Sequence, residues 1–321
     1  MDHTSILSDR FGFANGVTGG EAGTEVFVTE PFGSGPGSLP WYAGGSDPLK
    51  IDLSGLPVDI VLDAPIGIIG DKTISGGLWQ KKVTVSKNIK AFRLQPGSNV
   101  IFDSFRLVGR WTDWKNSAEL GDGITAEGVP TSGVFLNRMY LANWPDGCFD
   151  SVNSEGISLV DATIARSMVE YCAHPFNFTA DRLTFAHNVT RFVRIRVPKN
   201  QVGRLNTFNN VHYLTEDTGD SFEQAQDGAQ LWSIRNMYVS TVQKTIGKYG
   251  PNGGKILPQK HKFYGPVTYN VGPKDIDPTF IDACKGNWNG MMVSPTDSAG
   301  WDAARLSIEQ EVGPLGYVFV R

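Results

Sequence analysis

Three acidic residues, Asp122, Asp146 and Asp150, have types and a spacing that suit a metal site. Asp146 and Asp150 are four residues apart in the segment DGCFD, and an even spacing returns both side chains to one face of an extended chain. Carboxylates that converge repel one another unless a cation lies between them. Asp-Gly pairs are also common turn residues, and the spacing alone favours a turn over a ligand set.

Three arginines form a second group of candidates: Arg191, Arg194 and Arg196. The simplest interpretation of this cluster is a solvated cationic edge. A basic groove beside a bound cation would nevertheless suit a polyanionic sugar better than a neutral one.

Tryptophans add a second indication of sugar binding. Three of them lie in loops next to the aspartates: Trp111, Trp114 and Trp144. Their flat rings either stack on sugar faces or pack over the edge of the fold, and the sequence favours neither.

The segments that must position these side chains follow one recurring phrase. In it, apolar residues alternate with polar ones and a polar turn follows: NVIFDSFRL at 99–107, GVFLNRMYL at 133–141, GISLVDATI at 156–164, DRLTFAHNV at 181–189, GRLNTFNNV at 203–211 and QLWSIRNMYV at 230–239. Such alternation is typical of strands with one buried face. Equivalent positions are 22 to 34 residues apart. This period indicates a repeat architecture in which neighbouring units cover one another's apolar faces.

The composition agrees with an all-β protein. The 37 glycines and 18 prolines interrupt the chain at short intervals. The regular leucine frame of leucine-rich repeats and the helix pairs of other repeat classes are absent from the sequence. We therefore predict a right-handed, single-stranded parallel β-helix, with an antiparallel sandwich as the alternative. No linker divides the chain, so we expect one domain over 1–321. Its segment from about 263 to 321 is expected to pack on the flank or end of the helix.

Charge and hydropathy exclude several classes of protein. Charged residues make up 19% and the net charge is -4, which argues against nucleic acid as a partner. No stretch approaches the roughly 18 apolar residues of a membrane span, and no leader with a basic start and an apolar core is present. Of the cysteines, Cys148 and Cys172 fall in adjacent coils, and buried free thiols are favoured over a disulfide.

Several segments of the sequence resemble motifs of the pectate lyases of polysaccharide lyase family 1. The matching segments keep the order of that family from residue 12 to about 213: GFANGVTGGEAGTEVFVT at 12–29, GDKTISGG at 70–77, GSNVIFDSFRLVG at 97–109, GDGITA at 121–126, WPDGCFDSVNSEGISL at 144–159, DRLTFAHN at 181–188, RFVRIR at 191–196 and GRLNTFNNVHY at 203–213. They cover about two thirds of the chain.

The resemblance implies a calcium-dependent lyase that cleaves a uronic acid polymer by β-elimination. Asp122, Asp146 and Asp150 match the calcium ligands of the family. Arg191 matches the proton-abstracting base and Arg196 a residue that holds substrate. Because the pKa of an arginine lies above about 12, such a base must be activated by the cations around it.

Further substrate contacts are predicted for Arg194, His174 and Trp144. The sequence also departs from the family pattern. Residues 134–138 read VFLNR in place of VWIDH, Val193 replaces the proline of the arginine motif, and the expected lysine is absent from residues 170–178. These departures put plain pectate in doubt and are compatible with another uronate polymer, such as a bacterial capsule.

Two other functions remain open on the sequence. One is a β-helix glycoside hydrolase or capsule depolymerase, with Asp146 and Asp150 as its acid and base. The other is a carbohydrate-binding β-helix without catalysis, such as a virion or surface adhesin. In each case we expect a monomer that binds an acidic polysaccharide, with no membrane partner. Its place would be outside the cell after secretion, or alternatively on a phage virion.

Overall fold

A computed structural model describes most of the chain. The residues described are 3–77, 81–111, 121–126, 128, 130–153, 156–190, 193–197, 201, 203–208, 210–214, 222–234, 236–240, 242–246, 248–249, 254–259, 261–264 and 267–269. Helical structure within them is confined to α1 (His3–Ser8), α2 (Leu39–Gly44) and a 3-10 turn at Phe13–Gly16. No helix in this part of the chain has the length and apolar content that crossing a membrane requires.

Strands make up nearly all the remaining regular structure. In chain order they are β1 (Thr24–Phe27), β2 (Leu49–Asp52), β3 (Ile60–Leu62), β4 (Ile66–Ile68), β5 (Asp71–Ser75), β6 (Lys82–Val85), β7 (Phe92–Leu94), β8 (Asn99–Asp103), β9 (Arg106–Val108), β10 (Ile124–Thr125), β11 (Gly133–Asn137), β12 (Tyr140–Ser151), β13 (Leu159–Ala165), β14 (Met168–Ala186), β15 (Val189–Thr190), β16 (Val193–Val197), β17 (Gly203–Phe208), β18 (Val211–Leu214), β19 (Glu223–Asp227), β20 (Ala229–Ile234), β21 (Met237–Ser240), β22 (Lys244–Ile246), β23 (Lys248–Tyr249), β24 (Lys255–Gln259), β25 (Lys262–Tyr264) and β26 (Val267–Tyr269).

Except for β22 and β26, which pair with each other, these strands stack into three parallel sheets. The first sheet contains β1, β2, β5, β8, β11, β13, the end of β14, β17, β20 and β24. The second contains β3, β6, β9, the starts of β12 and β14, β15, β18, β21 and β25. The third contains β4, β7, β10, the end of β12, the middle of β14, β16, β19 and β23. Each strand pairs with the strands one coil before and after it, which confirms the predicted parallel β-helix.

In-register pairing turns the alternation of each strand into columns of side chains. In the third sheet the inner column is apolar and buried: Ile124, Phe149, Phe176 and Val193. The next residue of each strand points to the other side and forms a polar outer column: Thr125, Asp150, Asn177 and Arg194. The inner column drives the stacking by burial of apolar surface, whereas the outer column is available for chemistry.

A ladder of polar side chains holds the turns between the first and second sheets. The backbone N–H of Ser167 donates to Asn188 Oδ1 at 3.0 Å, and the N–H of Asn188 donates to Asn210 Oδ1 at 2.9 Å. Asn210 donates in the same way to Asn236 Oδ1 at 2.9 Å, and the N–H of Asn236 donates to His261 Nδ1 at 3.1 Å. The ladder satisfies buried N–H groups that the turns remove from the sheets.

The N-terminal segment covers the outer face of the first sheet. Phe11, Ala14 and Val17 are buried there against a second apolar cluster that includes Ile101 and Phe135. The prediction that residues from about 263 onward pack on the flank or end falls almost entirely outside the described residues. Of that segment, only residues 263–264 in β25 and the strand β26, which pairs with β22, are described.

The favoured interpretation of the cysteines was wrong. Cys148 and Cys172 form a disulfide, with their Cα atoms 6.0 Å apart. The two residues lie on β12 and β14, in consecutive coils, and both side chains are buried. Because strands of adjacent coils are only about 4.8 Å apart, inward-facing cysteines on them meet at bonding distance.

Removal of one rung of the ladder should destabilise the fold. In Asn210→Ala the N–H of Asn188 and the carbonyl of Phe185 lose their partners. We expect the free energy of unfolding to fall by about 2 to 4 kcal/mol, because several buried polar groups are left unsatisfied. Urea denaturation followed by circular dichroism measures this loss. The same change at the exposed Asn15 is the control, and equal stability of the two variants would contradict the role of the ladder.

Candidate active site

Two of the predicted aspartates meet across a glycine in the third sheet, at the level of β10 and β12. Asp122 lies two residues before β10, and Asp150 lies near the end of β12. The N–H of Gly147 donates to Asp122 Oδ1 at 2.8 Å. A Cβ atom at Gly147 would lie 2.9 Å from Asp122 Oδ1 and 2.9 Å from the Cβ of Asp150. Only glycine therefore fits between the two carboxylates.

Burial dominates the electrostatics of Asp122. Asp122 is 2% exposed. The pKa of Asp122 is raised from 3.8 to about 7, chiefly by burial. The Lys90 ammonium and the Gly147 N–H act against this rise, and the carboxylates of Asp150 and Asp146 add to it. The Nζ of Lys90 lies 3.2 Å from Asp122 Oδ2. The ionised form of Asp122 is therefore disfavoured in the folded protein despite the nearby ammonium.

The third aspartate turns toward a histidine. Asp146 Oδ1 lies 2.7 Å from His174 Nδ1, and both side chains are partly exposed, at 30% and 31%. His174 pairs in register with Gly147, one coil away. A register shift in β12 between Trp144 and Gly147 breaks the simple alternation and sets the direction of Asp146. The structure thus brings Asp122 and Asp150 together and places Asp146 beside them, in contact with His174.

Asp150 belongs to the polar outer column of the third sheet. Its Oδ1 accepts the N–H of Val152 at 2.9 Å, and its Oδ2 accepts Asn177 Nδ2 at 3.0 Å. On either side of it in register lie Thr125 and Asn177. The Thr125 hydroxyl and the Asn177 Oδ1 atom are buried, and no partner is found for either in the described part of the molecule. Two neutral oxygen atoms are therefore left unsatisfied beside the carboxylate.

Two of the predicted arginines share the outer face further along the same sheet. Arg194 and Arg196 are both partly buried on β16. The Nε of Arg194 donates to Gln224 Oε1 at 3.1 Å, and the Nε of Arg196 donates to Gln226 Oε1 at 3.1 Å. These glutamines lie one coil further on, in register with the arginines, and they fix the direction of each guanidinium. Arg191 lies outside the described residues.

The prediction that Trp144 contacts substrate is wrong. Its side chain is 1% exposed and lies in the main apolar core. The indole N–H donates to the carbonyl of Leu107 at 3.4 Å, so both the ring and its polar atom are engaged in the interior. Trp111 is partly exposed, whereas Trp114 lies outside the described residues.

The segment VFLNR at 134–138, which departs from the family pattern, lies on a different sheet from the aspartates. Asn137, the last residue of β11 in the first sheet, is fully buried. It donates to Asp103 Oδ1 at 2.8 Å and accepts Arg166 Nη1 at 2.9 Å. This position therefore serves a buried hydrogen-bond network, and its change from an acid does not alter the carboxylate cluster of the third sheet.

The donor set fits a hard cation. Among the described residues, no three histidine, cysteine or acidic side chains are already arranged around one metal position. The carboxylates of Asp122 and Asp150 nevertheless repel each other, and the unsatisfied oxygens of Thr125 and Asn177 lie in the column of Asp150. Calcium accepts this mixture of carboxylate, amide and hydroxyl oxygens together with water. Asp146, Asp122 and Asp150 as its ligands remain a prediction.

Sequence reasoning missed four polar residues of this surface: Lys90, Asn177, Gln224 and Gln226. None of them belongs to a motif. Each would have followed from the register once the repeat was aligned, because each occupies the position of a predicted site residue one coil away. The insertions between coils conceal that register in the sequence.

Comparisons with known proteins agree with this architecture. No protein-family model matches the chain, and no curated protein matches it. The crystal structure of Jun a 1, the major allergen from cedar pollen, aligns with a TM-score of 0.72 and 16% identity, over 97% of this chain and 94% of that chain. This likeness shows that the chain is a parallel β-helix protein of the same fold. The fold predicted from the resemblance to pectate lyases is thereby confirmed.

Two pectate lyase structures from Xanthomonas campestris align less well. A double variant of pectate lyase gives a TM-score of 0.48 at 14% identity, over 93% of this chain and 96% of that chain. Pectate lyase II gives 0.45 at 13% identity, over 83% of this chain and 86% of that chain. Scores of this size add nothing to the assignment of the fold.

The raised pKa of Asp122 predicts a specific dependence of stability on pH. Because the pKa in the folded state, about 7, lies above the ordinary value of 3.8, ionisation of Asp122 disfavours the folded state. Its contribution to stability is therefore lost as the pH rises from about 4 to about 7. Asp122→Asn should unfold at a higher urea concentration than the wild type near pH 8, and the difference should shrink near pH 5.

Urea denaturation in the presence of chelator tests this prediction. The exposed Asp63→Asn is the control for loss of one carboxylate. A stability difference between Asp122→Asn and the wild type that stays constant over this pH range would contradict the assignment.

Proposed function

We propose that the protein is a calcium-dependent polysaccharide lyase that cleaves a uronate polymer by β-elimination. One observation carries the proposal. The outward face of the third sheet bears the carboxylate of Asp150, with Asp122 beside it across Gly147. Two coils beyond Asp150, the same face bears the guanidinium groups of Arg194 and Arg196. Two coils span about 10 Å, which is within the length of a short stretch of sugar units. A polyanion bridged by a cation suits such a surface.

The carboxylate end of this surface would hold the calcium ion. Asp122 and Asp150 are the proposed ligands, together with Asn177 Oδ1 and the predicted ligand Asp146. When bound, calcium would neutralise a uronate carboxylate and so favour loss of the adjacent C5 proton. The buried position of Asp122 strengthens the attraction between its carboxylate and a cation, because charges interact more strongly away from water.

The guanidinium end would bind the carboxylates of the polymer. Arg194 and Arg196 present planar donors that match a carboxylate in two-point hydrogen bonds. Gln224 and Gln226 accept hydrogen bonds from the Nε atoms and thereby fix the orientation of each guanidinium group. His174, oriented by Asp146 and partly exposed on the same sheet, is the proposed further contact to substrate.

The elimination itself requires a base and a leaving group. We assign the base to Arg191, which takes the C5 proton. The electron pair of the C5–H bond then forms the C4=C5 double bond, and the bond from C4 to the glycosidic oxygen breaks. That oxygen leaves with a proton from solvent. The family resemblance supports this role. An arginine can act as a base only where positive charges around it lower its pKa.

The substrate class is an acidic polysaccharide that contains uronic acid, either pectate or a related polymer. Incubation with polygalacturonate and other uronate polymers, in calcium or in chelator, tests the reaction. We expect calcium-dependent growth of the ultraviolet absorbance of the unsaturated product. New reducing ends without that absorbance would identify a hydrolase, and binding without cleavage would identify an adhesin. Either outcome would contradict the lyase.

Loss of a guanidinium should weaken binding of the polymer. In Arg196→Gln we expect kcat/KM to fall by about 10- to 100-fold, the size expected for one charged hydrogen bond. Arg204→Gln is the matched control, because Arg204 is an exposed arginine on the first sheet that pairs with Asp181 at 3.4 Å. Equal activity of the two variants would contradict a substrate role for Arg196.

A further inference from the structure

Lys90 occupies the position next to Asp122 in the stack of coils. The N–H of Ala91 donates to the carbonyl of Asp122 at 3.0 Å, and the N–H of Phe92 donates to the carbonyl of Gly123 at 3.0 Å. These two backbone bonds align Lys90 with Asp122, one coil earlier on the third sheet. Chain insertions separate the two residues in the sequence, but the register places them side by side.

The ammonium group of Lys90 is directed at the carboxylate cluster. Its Nζ lies 3.2 Å from Asp122 Oδ2, with side chains that are 26% exposed for Lys90 and 3% exposed for Asp122. Both oxygens of Asp122 therefore have a partner, since Oδ1 accepts the N–H of Gly147. Of the neighbours that act on the charge of Asp122, Lys90 is the strongest that favours ionisation. It thus contributes at this carboxylate the kind of stabilisation that a metal ion would supply.

We propose that Lys90 is a built-in counter-ion that competes with a divalent cation for Asp122. The proposal rests on the proposed function, which assigns the cation to Asp122 and Asp150. A calcium ion bound to Asp122 would repel an ammonium at hydrogen-bond distance from the same carboxylate. Binding of calcium therefore requires the ammonium to leave Asp122.

Two consequences follow from this competition. Without calcium, Lys90 lets the protein fold with carboxylates buried together, because it balances part of their charge. With calcium, the displacement of Lys90 opposes binding, so that the site binds the ion less tightly than it would without the lysine. The cluster is then both stable when empty of metal and able to release it.

Calorimetric titration of the intact protein with calcium chloride tests the proposal. Lys90→Met keeps the length and apolar stem of the side chain but removes its charge, and we expect it to bind calcium at least about tenfold more tightly than the wild type. Lys90→Arg keeps the charge and should bind as weakly as the wild type. Lys87→Met removes an exposed positive charge from the same loop and is the matched control, with unchanged affinity expected.

Several outcomes would overturn the proposal. One is a calcium affinity of folded Lys90→Met that equals the wild-type value or lies below it. Another is an equal gain in Lys87→Met, which would reduce the effect to net charge. Absence of calcium binding in both the wild type and Lys90→Met would overturn it together with the calcium part of the proposed function. Tighter binding in Lys90→Met without any unsaturated product would instead support the counter-ion and overturn only the lyase.

Folding of the variant is followed separately. Circular dichroism and thermal unfolding in chelator establish whether Lys90→Met is folded, and Lys90→Gln is the second uncharged variant. We expect both uncharged variants to melt at a lower temperature than the wild type in chelator and to gain more from calcium. A gain from calcium no larger than that of the wild type would count against the competition.

Discussion

The constraint on which the candidate site depends is the burial of the Asp122 carboxylate beside a second carboxylate, that of Asp150. Asp122 and Asp150 lie on either side of Gly147, with Asp146 close enough to add to the field. A protein does not gain stability from such an arrangement, because desolvation and repulsion both disfavour the ionised form. The proposed function explains this cost, because it makes the carboxylates the ligands of a cation. Lys90 supplies part of that charge within the chain itself.

The parallel coil makes this arrangement possible. In-register pairing converts residues far apart in sequence into neighbours at a fixed spacing, so one sheet can carry carboxylates at one place and guanidinium groups at another. The polar ladder that includes Asn210 and Asn236 fixes the turns, and the apolar inner columns fix the distance between sheets. The disulfide between Cys148 and Cys172 joins the two coils that carry Asp150 and His174. The scaffold therefore sets the geometry before any ligand binds.

The sequence contains enough information for the fold. The alternating phrases at 99–107 and 133–141 became β8, β9, β11 and the start of β12, as their alternation predicts. Their spacing indicated a stack of coils, and the parallel register confirms it. The C-terminal packing and Arg191 fall on residues outside the described part of the chain.

Details of the site could be predicted only in part. Alternation alone placed Asp146 and Asp150 on one face, but the register shift after Trp144 turns Asp146 toward His174. Trp144, which the sequence analysis placed in a loop, lies inside the core. Lys90 was missed because a long insertion separates it from Asp122. Such local irregularities depend on tertiary packing, and no short-range pattern encodes them.

A crystal structure of the protein with bound calcium, or with a lanthanide that gives an anomalous signal, would test the central claim most directly. The account predicts one strong peak between the carboxylates of Asp122 and Asp150, within coordination distance of Asn177 Oδ1 and with the Lys90 ammonium withdrawn. A peak at another surface, or none at saturating ion concentration, would contradict the assignment of this cluster as a cation site.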